Sequence, residues 1–162
     1  NLINSLTISG STAGHIGVAW GWYAVSPNFN TLWPSNPAGA YAPNDVLKAV
    51  VIMTDGEFNT PFCSGVIAQN AGYGSGDPVD WINCNATNGD PYTQVDNLCA
   101  AMRQQDIIVY TIGFLIPANG PGAQALGRCA TSGFAFLPAN GADLSDAFKA
   151  IGRDITRLRI SR

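Results

Sequence analysis

An α/β domain built on a parallel sheet is the fold class this sequence predicts, and three observations predict it. Residues Val46–Thr54 and Ile107–Phe114 ("IIVYTIGF") form short runs that read as apolar on both faces, as strands do when helices cover each side of the sheet. Stretches of helical character stand between and around them, one opened by Asp90-Pro91 and one marked by Leu144, Phe148, Ile151, Ile155 and Leu158 on a single face. Strand and helix thus alternate, and 162 residues suit one domain with one core.

Each element has its own signal. Ala13–Val25 follows the turn at Gly10–Thr12, contains no breaker but glycine and stops before Pro27, so it predicts a helix. Gly14, Gly17 and Gly21 share one face of that helix, where a missing Cβ permits close approach to a neighbour. Ile16, Trp20 and Tyr23 line another face, expected to enter the core rather than to form a sugar platform. Residues 28–44, with Pro34, Pro37 and Pro43, predict a loop before the first strand. Residues 56–89 are rich in Gly, Asn, Asp and Pro and predict a second, long insertion loop.

Asp90 as cap and Pro91 in the first turn start the next helix, which turns Val95, Leu98 and Met102 inward and ends near Gln105. After the Ile107–Phe114 strand come a short helix at Ala123–Cys129, a strand at Phe134–Leu137 and a last helix from about Asp143. Arg153, Arg157, Arg159 and Arg162 crowd its end. They offer an anionic partner a patch, but the helix dipole also favours cations there, and that structural reason is preferred at this level.

Composition narrows the class. Apolar residues make up 46% and charged residues only 12%, against roughly 25% charged in an average soluble protein, so neutral polar groups must cover the surface. That balance leans toward an exported protein. A net charge of −3 argues against nucleic acid, which requires clustered Lys and Arg. The longest apolar stretch, "HIGVAWGWYAVSP", is too short and glycine-rich to span a bilayer. The opening "NLINSLTISG" reads as the middle of a helix-to-loop passage, which suggests a fragment.

Cys63, Cys84, Cys99 and Cys129 include no Cys-x-x-Cys pair and are accompanied by a single His, so a zinc site is not expected. An even count in an exported chain predicts two disulfides among three connectivities. Cys63–Cys84 would close the long loop. Cys99–Cys129 would tie the helix before "IIVYTIGF" to the helix after it, since consecutive crossovers on one face lie close together.

The functional question is set by "AVVIMTDGEFNT", where a buried-looking strand delivers Asp55 and Glu57, separated by Gly56, to its carboxyl end. In open α/β sheets ligands bind beyond the carboxyl ends of the strands. An aspartate there can hold a hard cation, act as acid or base, or cap a turn. The sequence has no Gly-x-Ser-x-Gly elbow and no phosphate loop, and its lone His15 lies in an apolar helical context, so catalysis is not expected.

These residues also carry a resemblance. "VVIMTDGEFNT", preceded by "GSTAGHIGVAWGW" and followed by "DIIVYTIGF", resembles a von Willebrand factor A domain. More narrowly, "VYTIGF" and then "LGRCATSGFAFLPANGADLSDAFKAIGRDITRLRISR" resemble the carboxyl-terminal end of TadG-like proteins of the Tad (tight adherence, Flp) pilus-assembly system. In that family Leu-Cys, Cys-Ala, a Phe-containing strand and a closing Leu-Arg-x-Ser-Arg occur in this order. The resemblance covers essentially the whole chain, with its specific part in the carboxyl-terminal half.

The resemblance implies a Rossmann-like three-layer sandwich with a mostly parallel sheet and a metal-ion-dependent adhesion site. Asp55 would be the Asp of that site's third loop and Thr12, in "GSTAGH", the Thr of its second; Glu57 would add charge behind them or, the preferred reading, stand as an exposed loop carboxylate. The Asp-x-Ser-x-Ser run of the first loop has no match here. The chain is therefore expected to be a partial domain lacking its amino-terminal strands, with a membrane anchor upstream and an exposed strand edge open to self-association. Mg2+ or another divalent cation is expected in the complete domain and none on this chain alone. The implied function is a non-enzymatic module of the periplasm or cell surface that binds a protein of the envelope or pilus machinery. A structural scaffold with a vestigial metal site is the alternative, and a hydrolase using Asp55 and Glu57 on a metal is the third reading.

Overall fold

The computed structural model describes residue 5 and residues 12–41, 45–58 and 88–160, the side chains of 159 and 160 excepted. Within these lie α1 (Gly14–Val25), a 3-10 turn (Pro27–Leu32), β1 (Ala49–Thr54), α2 (Pro91–Gln104), β2 (Ile108–Gly113), α3 (Pro121–Cys129), β3 (Ala135–Phe136) and α4 (Gly141–Ile160). The strands form one open, all-parallel sheet in the order β1-β2-β3, with Ala49 opposite Ile108, Thr54 opposite Gly113 and Ile112 opposite Phe136. The α/β class with a parallel sheet is as expected, and the arrangement is compatible with a Rossmann-like fold.

The sheet divides the core. On one side Val50, Ile52, Ile107 and Val109 pack with Val18 of α1, Val95, Cys99 and Met102 of α2, and Ala125 and Leu126 of α3. On the other, Tyr110 and Ile112 meet Leu144, Ile151 and Ile155 of α4, part of the predicted apolar stripe, whereas Phe148, expected in the same stripe, is 46% exposed. Tyr110 is fully buried and its hydroxyl donates to Asp154 of α4, so a polar tie crosses this second layer.

Asp90 caps α2 as its type and place demand: one carboxylate oxygen accepts from the N–H groups of Tyr92 (2.9 Å) and Thr93 (3.0 Å) and the other from the Thr93 hydroxyl (2.7 Å). Cys99 and Cys129 form the expected disulfide, Cα atoms 5.0 Å apart, joining α2 to α3. Beside it the guanidinium of Arg103 donates to the carbonyls of Arg128 (3.0 Å) and Cys129 (2.5 Å), occupying acceptors left open at the end of α3. Cys63 and Cys84, with most of the long loop, lie outside the described residues.

Three expectations change. β1 starts at Ala49 rather than Val46, because Lys48 turns inward at its threshold: it is buried, and its ammonium donates to the carbonyls of Val25 (2.7 Å) and Gly39 (2.6 Å). β1 is covered on one face only. Val51 and Met53 are 41% and 46% exposed, since α4 packs over β2 and β3 and β1 stands at the margin of the sheet.

The third change concerns α1. Its buried residues are His15 and Val18, whereas Ile16 and Trp20, expected in the core, are 40% and 53% exposed. The helix is apolar all round, so periodicity could not choose a face, and the glycines decided it. A Cβ on Gly14 would stand 2.0 Å from the Phe58 ring and one on Gly21 3.0 Å from Val50, so these two positions set how closely α1 lies against the sheet.

Candidate site at the carboxyl end of β1

The strand ends in a tight turn. Thr54 Oγ1 accepts from the N–H of Gly56 (3.2 Å) and donates to its carbonyl (3.0 Å), which places Asp55 at the apex, exposed to solvent. Thr12, two residues before α1, comes to the same place: its hydroxyl oxygen lies 3.5 Å from the position a Cβ on Gly56 would occupy. Residues 43 positions apart in sequence, Thr12 and Asp55, are thus brought to one end of the sheet by the antiparallel course of α1 against β1.

Glu57 is held differently. One carboxylate oxygen accepts from the hydroxyl of Tyr92 on α2 and from the backbone N–H of Gly122 in the first turn of α3, both at 2.5 Å. α3 has Gly120 before its first turn and no side-chain cap of its own, so Glu57 satisfies one of its open N–H groups from another element and places negative charge at the positive end of the helix dipole. Glycine makes room for this: a Cβ on Gly120 or Gly122 would come within 2.5 or 2.6 Å of a Glu57 carboxylate oxygen.

The same network continues inward. Tyr92 accepts from the N–H of Phe58 (3.2 Å), and the two rings stack with centroids 5.5 Å apart. Burial, together with the bond to Glu57 and its negative charge, pushes the Tyr92 phenol well above its ordinary value, so it remains a proton donor. Tyr92, Phe58, Gly14, Gly120 and Gly122 carried no functional signal in the sequence. Only Gly120-Pro121-Gly122, a helix start without a capping side chain, hinted that a remote group must serve it.

Thr12 and Asp55 supply one hydroxyl and one carboxylate, whereas a hard cation requires six or more oxygen ligands. No group of three or more His, Cys, Asp or Glu suited to a metal occurs among the described residues. The donors among the described residues do not make up a complete cation site. His15 offers no acid–base chemistry at the turn: it sits on the buried face of α1, where burial lowers its pKa.

No family model, curated protein or solved structure matches this chain. The turn at Asp55, with Thr12 beside it, is the feature on which a functional reading rests.

Proposed function

We propose that the chain is a binding module rather than an enzyme, a von Willebrand factor A-type domain of a bacterial cell-envelope protein. Its partner would be a protein in Tad/Flp pilus assembly or tight adherence. One observation carries this reading. The hydroxyl of Thr12 and the exposed Asp55 converge on the carboxyl end of a parallel strand, the place where open α/β sheets bind ligands. In the complete domain Thr12 and Asp55 would be two of several ligands to Mg2+ or a similar ion, which when bound would offer a coordination position to a partner's carboxylate. The buried Cys99–Cys129 disulfide accords with an exported protein of the periplasm or cell surface.

The second reading, an envelope scaffold with a vestigial site, is favoured by Glu57. Its carboxylate is committed to α2 and α3, which makes this end of the sheet a structural joint as well. Cells producing the complete protein with Asp55→Ala, at unchanged level, distinguish the two. Loss of piliation and adherence supports a metal-dependent binding module. Normal adherence in Asp55→Ala cells, with loss only on deletion of the protein, supports the scaffold, and no defect on deletion sinks both.

A further inference from the structure

The end of the sheet opposite Asp55 carries two features that the reading above does not use. The first is aromatic. α1 runs antiparallel to β1, with Gly14 against Phe58 just past the strand's end and Gly21 against Val50 near its start, so the carboxyl end of α1 and the 3-10 turn lie beyond the amino ends of the strands. There Trp20, Tyr23, Phe29 and Trp33 form a chain of ring contacts, at 5.7 Å (Trp20–Tyr23), 6.1 Å (Trp20–Trp33) and 4.1 Å (Tyr23–Phe29). Trp20 and Leu32 are 53% and 52% exposed, and no Asp, Glu, Lys or Arg occurs before Asp45.

The second feature is cationic. Five of the eight Lys and Arg residues follow position 148: Lys149, Arg153, Arg157, Arg159 and Arg162, with Asp154 the only acid among them. The other three are engaged within the fold, Lys48 and Arg103 on carbonyls and Arg128 on Asp96 at 2.9 Å, and of the five Lys149 pairs with Asp146 at 2.9 Å. α4 begins five residues after β3, near the carboxyl ends of the strands, and is level with the middle of β2 at Asp154, which accepts from Tyr110. Its later turns therefore descend toward the amino ends, the end that carries the aromatic rings. Arg153 and Arg157 are exposed and, with Gly152 and Thr156, line a hollow of about 380 Å³. The helix dipole acts within the last turn, so it does not account for Arg153.

We infer that this end of the molecule docks on a bilayer of anionic phospholipid, the aromatic rings entering the headgroup region and the α4 cations meeting the phosphates. Trp and Tyr, with an apolar body and a polar edge, favour that boundary. The segment before Asp45 carries no charge and suits entry into the interface, and the basic residues of α4 complement an anionic leaflet that exposed Asp45 and Asp106, just before β1 and β2 at this end, would otherwise repel. Docked in this way, Asp55 and Thr12 face away from the membrane. The inference does not depend on the function proposed above.

Co-sedimentation with phosphatidylcholine vesicles, with and without phosphatidylglycerol, tests it on the intact chain. Binding should require phosphatidylglycerol, weaken with added salt and be accompanied by quenching of tryptophan fluorescence by brominated lipid. Arg153→Ala with Arg157→Ala should lower partitioning about thirtyfold, at roughly the contribution expected of two basic residues near an anionic surface. Trp20→Ser with Leu32→Ser should lower it about tenfold or more with an unchanged circular dichroism spectrum. No binding to anionic vesicles at low salt overturns the inference, and so does binding that neither pair of substitutions affects. A dimer, or binding to a neutral glucan, that depends on Trp20 while vesicles are ignored would assign the aromatic face to another occupant and likewise overturn it. Should the Trp20 variant fail to fold, the arginine pair and the lipid quenching still decide.

Discussion

The carboxylate of Glu57 accepts a hydrogen bond from the backbone N–H of Gly122, so the turn that leaves β1 is fastened to the first turn of a helix that begins 64 residues later at Pro121. Replacing Glu57 by Ala removes this cap and leaves the Tyr92 hydroxyl without its acceptor, which should cost about 2 kcal/mol in urea unfolding. Gly122→Ala should destabilise as well, because its Cβ would stand 2.6 Å from the same carboxylate oxygen. An effect of Glu57→Ala no larger than that of a surface substitution would show that the contact contributes little.

Acid should weaken the fold in two stages. Burial lowers the pKa of His15, so its contribution is full above the unfolded value of about 6.5 and is lost as pH falls through the lower folded value. Asp90 titrates later. Burial opposes its charge, but the Thr93 hydroxyl and the N–H groups of Thr93 and Tyr92 outweigh it and lower the pKa. Its contribution is therefore present above about 3.9 and lost as pH falls through the folded value. Stability measured against pH should lose the first decline in His15→Gln and the second in Asp90→Asn; curves that kept their shape in both variants would refute the assignments.

The disulfide should be a major support. Closing a loop of 30 residues between Cys99 and Cys129 stabilises by about 3–4 kcal/mol on chain entropy. The Cys99→Ala, Cys129→Ala double variant should lose about that much in chemical unfolding without reductant. A loss under about 1 kcal/mol would mean that the packing between α2 and α3 holds them together unaided.

This chain alone should not bind Mg2+ usefully. Thr12 and Asp55 replace few of the waters an ion would give up, and Mg2+ dehydrates reluctantly. Titration calorimetry should show no saturable heat with the chain and no change on Asp55→Ala. Micromolar affinity that disappeared in Asp55→Ala would mean that further ligands complete the site.

The strands, the Asp90 cap and three positions of the stripe on α4 were legible in the sequence because each follows from local chemistry, whereas the Asn140 cap of α4 and the outward turn of Phe148 were not. The period of Leu144, Ile151 and Ile155 survives any tertiary arrangement, and Asp90-Pro91 caps its own helix. The approach of Thr12 to Gly56 came from resemblance rather than from spacing. What could not be read was long-range: that Glu57 would serve α3, that Lys48 would interrupt a strand to reach Val25 and Gly39, and that Trp20 would face outward. An all-apolar helix gives periodicity nothing to orient, and a carboxylate beside a glycine does not name its partner 65 residues away.

The covalent link between Cys99 and Cys129 encloses β2, the strand that pairs with both β1 and β3. Under a pulling force applied through the two ends of the chain, β1 or β3 can peel away, but β2 stays inside a closed ring. The ring between Cys99 and Cys129 should therefore withhold about 100 Å of extension, the span of 30 residues at their maximal reach. Reduction of this bond would release that hidden length, so a step of about 100 Å under tension would report its redox state.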